Sequence, residues 1–230
     1  MNLSDILSII SEDLEKVENK IEDEIQSEIP LVSEISRHLL GSGGKRLRPS
    51  VLLLASGACG LLKGSKRIAA STALELIHTA TLLHDDVVDE ATLRRGKPSS
   101  NVVWGNKPTV LVGDFMLARA LNLLQRCGSL ELIKAVTHAS AKLAEGQVLE
   151  VMSSKNMTDV TEEICFSIID HKTASLIESC SKVGALLAES KNGAVKALSN
   201  YGQNIGIAFQ LIDDALDYTS SEKEFGKQVG

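Results

Sequence analysis

A chain of 230 residues with 43% hydrophobic and 23% charged residues has enough apolar material for one sizeable core and is far from the composition of a disordered segment. Its net charge of −6 leaves no basic face for a nucleic-acid backbone. Uncharged runs such as Pro49 to Leu62 are shorter than the about 20 apolar residues that a membrane helix needs, so a soluble, cytoplasmic protein without nucleic-acid partner or membrane span is expected.

The N-terminal stretch is acidic and amphipathic, unlike a signal or transit peptide, and reads as a first helix over 4–27. A second helix is predicted over 31–40, opening after Pro30. The loop Gly41-Ser42-Gly43-Gly44-Lys45-Arg46-Leu47-Arg48 then meets Pro49, where its backbone and cations suit a phosphate as well as a solvated basic loop. Helices follow over 49–62 and 66–88. The second of these carries apolar residues at Ile68, Ala69, Ala73, Leu76, Ile77, Ala80 and Leu83, the spacing of a buried face.

That helix ends in His84-Asp85-Asp86-Val87-Val88-Asp89. Residues i and i+4 share a helix face, so Asp85 and Asp89 point the same way while Asp86 is turned by about 100°. Carboxylates on one face repel unless a cation joins them, and hard oxygen ligands with room for water suit Mg²⁺. A solvated acidic helix end is the plain alternative. His78 lies seven residues earlier, two turns away on about the same face.

The segment from Glu90 to Lys107 reads as a long irregular loop, and no stretch of the chain alternates as a strand would. Its neighbours Arg94 and Arg95 could hold two separate anions. Further helices are expected over 109–126, 129–153, 160–171, 173–190 and 194–218. The last ends in Asp213-Asp214-Ala215-Leu216-Asp217, repeating the spacing of the first acidic cluster. Acidic groups at a helix C-terminus oppose its dipole, a cost that a bound metal offsets. Two such clusters could clamp a diphosphate through several Mg²⁺ ions. Cys59, Cys127, Cys165 and Cys180 lack C-x-x-C spacing and lie in apolar helical stretches, so buried reduced thiols are expected. The fold expected is an all-α, single-domain helical bundle.

Taken in order, GGKRLRP, LLHDDVVDE, LRRG, GDF, HKTASL, FQLIDDALDY and a final GK resemble the trans-isoprenyl diphosphate synthases over nearly the whole chain. The resemblance implies an isoprenoid-synthase bundle with its active-site cavity between helices. It implies Mg²⁺-dependent condensation of isopentenyl diphosphate with an allylic diphosphate, and a homodimer. By resemblance, Lys45, Arg48, His78 and Arg95 bind isopentenyl diphosphate, while Arg94, Lys172 and Lys227 bind the allylic diphosphate. Asp85, Asp89 and Asp213 would ligate metal. Lys172, Thr173 and Gln210 would stand beside the leaving diphosphate and the developing cation, where an ammonium stabilises charge only as the bond breaks.

Thr81, Ala80 and Ile77 lie four, five and eight residues before Asp85. In the family, bulky aromatics at the first two of these positions close the pocket. The small residues here resemble long-chain synthases that make quinone side chains such as that of ubiquinone. A shorter-chain geranylgeranyl or farnesyl synthase is the alternative.

The family continues beyond the point matching Gly230 with another basic motif and helices, so the expectation is a polyprenyl synthetase domain over 1–230 lacking those helices. That feature would suit a non-catalytic partner subunit, which the intact aspartates oppose. A class I terpene cyclase would share the first cluster, but it normally carries an Asn/Ser/Glu pattern at its second metal site.

Overall fold

The computed structural model describes residues 3–41, 43–155 and 161–219, the side chains of 155 and 217–219 excepted. Helices dominate, as the apolar periodicity requires. In chain order they are α1 (Leu3–Ser8), α2 (Ser11–Glu24), α3 (Pro30–Leu40), α4 (Leu47–Ala58), α5 (Ser65–Val88), α6 (Ser100–Trp104), α7 (Asn106–Arg126), α8 (Leu130–Lys155), α9 (Glu162–Ile169), α10 (Ser175–Leu187) and α11 (Asn192–Thr219). A π-helical turn, Asp170–Ala174, joins α9 to α10.

The architecture is organised around α5. Every residue from Ala70 to Ile77 is buried, so this helix is covered on all sides rather than along one stripe. It packs against α7, α4, α2 and α10. Leu74, Leu76, Ile77 and Leu83 join Leu52 and Leu53 of α4 and Met116, Leu123 and Leu124 of α7 in one core. Burying each such side chain stabilises the fold by about 1.5–3 kcal/mol. On the far side, α10 packs against α4, α8 and α11, so both acidic helix ends belong to one bundle.

Four local expectations need correction. The helix expected over 4–27 breaks at Ile9 and Ile10, where Ser8 Oγ donates to the Asp5 carbonyl at 2.7 Å and Ser11 Oγ to the Ser8 carbonyl at 3.1 Å. Serine side chains here compete with the helical ladder. The helix expected over 49–62 stops at Ala58, because Gly60 takes a φ of 91° and the Leu61 amide closes back onto the Ser56 carbonyl at 2.9 Å.

The segment from Glu90 to Lys107 is not irregular throughout. Leu93–Arg94 pairs antiparallel with Lys97–Pro98 across a two-residue turn in which Arg95 and Gly96 take φ of 52° and 76°. Both central residues at positive φ make a turn matched to hairpin twist. His38 Nε2 donates to the Pro98 carbonyl at 2.8 Å, and its ring meets Trp104 edge-on at 5.0 Å, fixing this hairpin to α3 and α6. Of the four cysteines, all free, Cys127 and Cys180 are buried but Cys165 is exposed, because α9 turns Cys165 and Phe166 outward and buries only Ile169.

Candidate active site

The three aspartates at the end of α5 divide into two kinds. Asp86 is fully buried, and Arg94 grips its Oδ1 through Nε at 2.8 Å and Nη2 at 2.5 Å. Asp86 thus anchors the hairpin to α5, while its Oδ2 is buried without a partner. Burial pushes its carboxyl up and the Arg94 contact pulls it down. Asp85 and Asp89 have no side-chain hydrogen bond or ion pair among the described residues. Burial raises the Asp85 carboxyl to about 6, with Lys172 opposing and Asp89 reinforcing the rise. Beside them, His84 Nε2 donates to the Val110 carbonyl at 3.1 Å and lies 3.4 Å from Asp114, which ties the end of α5 to α7.

Lys172 influences Asp85 electrostatically because the π-turn faces the end of α5. An i→i+5 turn inserts one extra residue into a helix, and such turns recur at functional sites. This one holds Lys172 and Thr173. Lys172 forms an ion pair with Glu150 of α8. Thr173 Oγ1 donates to Gln210 Oε1 at 2.7 Å, and Gln210 Nε2 donates to Asp214 at 2.7 Å. Asp214 is thereby engaged, whereas Asp213 has no partner among the described residues. Close approach of α11 to the π-turn depends on Gly206, where a Cβ would fall 2.5 Å from Ala174 Cα.

A third group collects cations. Arg46, at a φ of 47° just before α4, is held by Glu18 of α2 and lies 3.3 Å from Glu75 of α5. A Cβ on Gly44 would sit 2.8 Å from Arg46 Nη1 and 3.4 Å from Arg95 Nη1, so the glycine loop and the hairpin turn converge. Burial lowers the guanidinium pKa of Arg48 and Arg95, with Glu75 opposing in both cases. Guanidinium groups nonetheless stay charged. Burial and the charges of Arg48, Arg95, Arg94 and Arg46 hold His78 well below the ordinary histidine pKa, so its imidazole is neutral.

Of the residues singled out in the sequence, Arg48, His78, Arg94 and Arg95 thus gather at one pole. Asp85 is within electrostatic reach of Lys172, with Asp89 one turn further on, and Gln210 of α11 reaches Thr173 of the same π-turn; Asp213 lies three residues beyond Gln210. Lys45 is exposed on the glycine loop. Ile77 and Ala80 are buried on α5, and Thr81 Oγ1 donates to the His78 carbonyl at 2.7 Å. Lys227 lies outside the described residues.

Sequence reasoning missed Glu75, Glu18 and Glu150, the carboxylates that hold the cations in place. Only Glu75 carried a signal. It is a lone acid in an apolar helical run three residues before His78. Its carboxyl is pushed up by burial and drawn down by Arg48 and Arg46, and Oε2 is buried without a partner.

The arrangement resembles known proteins over its whole length. Residues 29–230 match the polyprenyl synthetase family model. Octaprenyl diphosphate synthase of Escherichia coli is 40% identical over 230 residues, spanning 100% of this chain and 71% of that protein. All-trans-nonaprenyl-diphosphate synthase (geranyl-diphosphate specific) of Rhodobacter capsulatus is 42% identical, spanning 98% of this chain and 69% of that protein. Among solved structures, a polyprenyl synthase from Caulobacter crescentus complexed with calcium and isoprenyl diphosphate superposes with a TM-score of 0.95 at 38% identity, over 100% of this chain and 69% of that one. The chain belongs to the polyprenyl synthetase family.

Proposed function

We propose that this chain is a trans-prenyltransferase that condenses isopentenyl diphosphate with an allylic diphosphate to build a long-chain all-trans polyprenyl diphosphate. The observation that carries the reading is the pair Asp85 and Asp89, half-buried or exposed, without protein partners and opposite the Lys172 ammonium. Family membership supports the reaction class. The similarity to octaprenyl and nonaprenyl synthases, together with this chain's own small residues Ala80 and Thr81, supports the long product.

Divalent metal fits this donor set. Two oxygen-bearing side chains that repel one another suit Mg²⁺ held by few carboxylates plus substrate phosphate, and the related Caulobacter structure contains calcium. Asp85, Asp89 and Asp213 would hold it, and when bound it neutralises negative charge on the allylic diphosphate.

The remaining chemistry belongs to the chain. Lys172 supplies a positive charge where the allylic C–O bond breaks, and Glu150 keeps that ammonium in position until diphosphate arrives. Thr173 and Gln210 form a fixed dipole chain beside the forming allylic cation, oriented by Asp214. Arg48, Arg95 and Lys45 bind isopentenyl diphosphate, and neutral His78 adds a hydrogen bond without adding charge. Arg94 binds the allylic diphosphate through Nη1, the guanidinium nitrogen that Asp86 leaves open. The isopentenyl double bond then attacks C1 of the allylic cation, a new C–C bond forms, and transfer of a proton to the released diphosphate restores an allylic diphosphate one unit longer.

The reading extends to one polyprenyl synthetase domain over 1–230, a homodimer, and a product destined for a quinone side chain. Replacing Asp85 or Asp89 by alanine tests the carrying observation. Turnover should vanish while the metal-free unfolding midpoint holds, since removing one carboxylate relieves repulsion. Strong destabilisation of the metal-free protein would assign these aspartates to the fold instead.

A further inference from the structure

About 30 Å from Asp85, at 1.5 Å per residue along α5, lies a second concavity that the prenyl-transfer site does not use. It is an open concavity bordered by α2, the N-terminal end of α5 and the C-terminal end of α7, with a volume of about 530 Å³. That lies within the range of about 300–1,000 Å³ typical of small-molecule sites. Its floor is apolar, with Ala69 and Leu123, and its rim carries Lys16, Lys20, Lys66 and Arg126 against a single acid, Asp13.

In a chain of net charge −6, four cations against one acid is a local reversal of sign. Lys16 is bonded to Asp13 and Lys20 to Glu24, each at 2.8 Å. Lys66 and Arg126 have no ion-pair partner among the described residues, and both are exposed at the mouth. Gly64 opens α5 without a side-chain cap, and no acidic residue occupies the first turn. The charge therefore calls for an anion, whereas the floor offers a bare anion nothing. A purely apolar ligand would strip water from the cations without replacing it.

We propose that this cavity binds one phosphate-headed amphiphile, its head between Lys66 and Arg126 and its apolar body over Ala69 and Leu123. Two sources share that chemistry: an anionic phospholipid and an isoprenoid diphosphate. The site stands independently of the prenyl-transfer reading, and its failure would leave that reading untouched.

Calorimetric titration of the full chain in EDTA tests it, with four probes: dihexanoyl phosphatidylglycerol below its micellar concentration, geranyl diphosphate, geraniol and inorganic phosphate. At least one phosphate-headed amphiphile should bind a site that is lost, or weakened tenfold or more, in Lys66→Glu/Arg126→Glu. Geraniol and inorganic phosphate should bind that site at least tenfold more weakly. Binding of phosphatidylglycerol alone identifies the lipid source, and loss of one geranyl diphosphate per chain identifies the isoprenoid source. The milder pair Lys66→Ala/Arg126→Ala serves if the charge reversal unfolds the chain.

Equal affinity and stoichiometry in wild type and both double variants would overturn the proposal. So would inorganic phosphate binding as tightly as either amphiphile, which would mean an adventitious ion only.

Discussion

Replacing Gly206 by alanine should damage both stability and catalysis, because the added methyl group has nowhere to go. Its Cβ would lie 2.5 Å from Ala174 Cα and 2.9 Å from Ala174 Cβ, where ordinary contact begins near 3.4 Å. The first contact is with backbone, so α11 and the π-turn must part by about 1 Å. Overpacking of this kind costs about 1–3 kcal/mol. The same shift pulls Gln210 away from Thr173, now 2.7 Å apart. A misplacement of about 1 Å in a catalytic constellation can lower turnover about 100-fold. Thermal unfolding and steady-state kinetics on one preparation measure both effects. Gly193→Ala is the control, since no neighbour lies within 4 Å of its Cβ and alanine favours a helix. A Gly206→Ala protein with wild-type turnover and an unchanged unfolding midpoint would refute the packing argument.

His78 is held neutral in the fold, whereas in the unfolded chain it takes up a proton below its ordinary pKa of 6.5. Its folded pKa is depressed, so the unfolded state binds more protons in acid and stability is lost as pH falls below 6.5. The stability difference between wild type and His78→Gln should therefore shift against wild type between about pH 7.5 and pH 5.5; parallel unfolding-midpoint curves would contradict this. Arg48→Ala should weaken isopentenyl diphosphate tenfold or more and Arg94→Ala the allylic substrate, since charge-assisted phosphate contacts contribute about 1.5–3 kcal/mol each. Separate substrate titrations distinguish the two, and equal effects on both substrates would refute the division. Ala80→Phe should place a ring on the α5 wall and shorten products to about three or four isoprene units, at an overpacking cost of about 1–3 kcal/mol. Chromatography of the extracted products reads this, and an unchanged distribution in an active variant would put the tail path elsewhere.

What the sequence revealed was governed by local periodicity. An apolar face on α5 and the i, i+4 relation of Asp85 and Asp89 follow from helical geometry alone, whereas the burial of Ser71, Thr72 and Glu75 on its other sides does not. Breaks governed by single side-chain bonds or by backbone at positive φ were harder to see. Ser8 and Ser11 interrupt the first helix, and Arg95 adopts a conformation that non-glycine residues rarely take. The division of labour among the aspartates was half legible. Helical spacing turns Asp86 away from its neighbours, yet its capture by Arg94 depends on a hairpin that no alternation of residues announces. Glu150 and Glu18 reach their cations across helices, over sequence separations of 22 and 28 residues, and nothing local marks them.

The central claim is most directly tested by incubating the purified chain with radiolabelled isopentenyl diphosphate and geranyl diphosphate, with Mg²⁺ and with EDTA, and separating the dephosphorylated products by length. Successive elongation with Mg²⁺, reaching products of about eight to ten isoprene units and absent with EDTA, is the expected result. No incorporation of isopentenyl label under either condition, by a chain that is folded and binds both diphosphates, would contradict it.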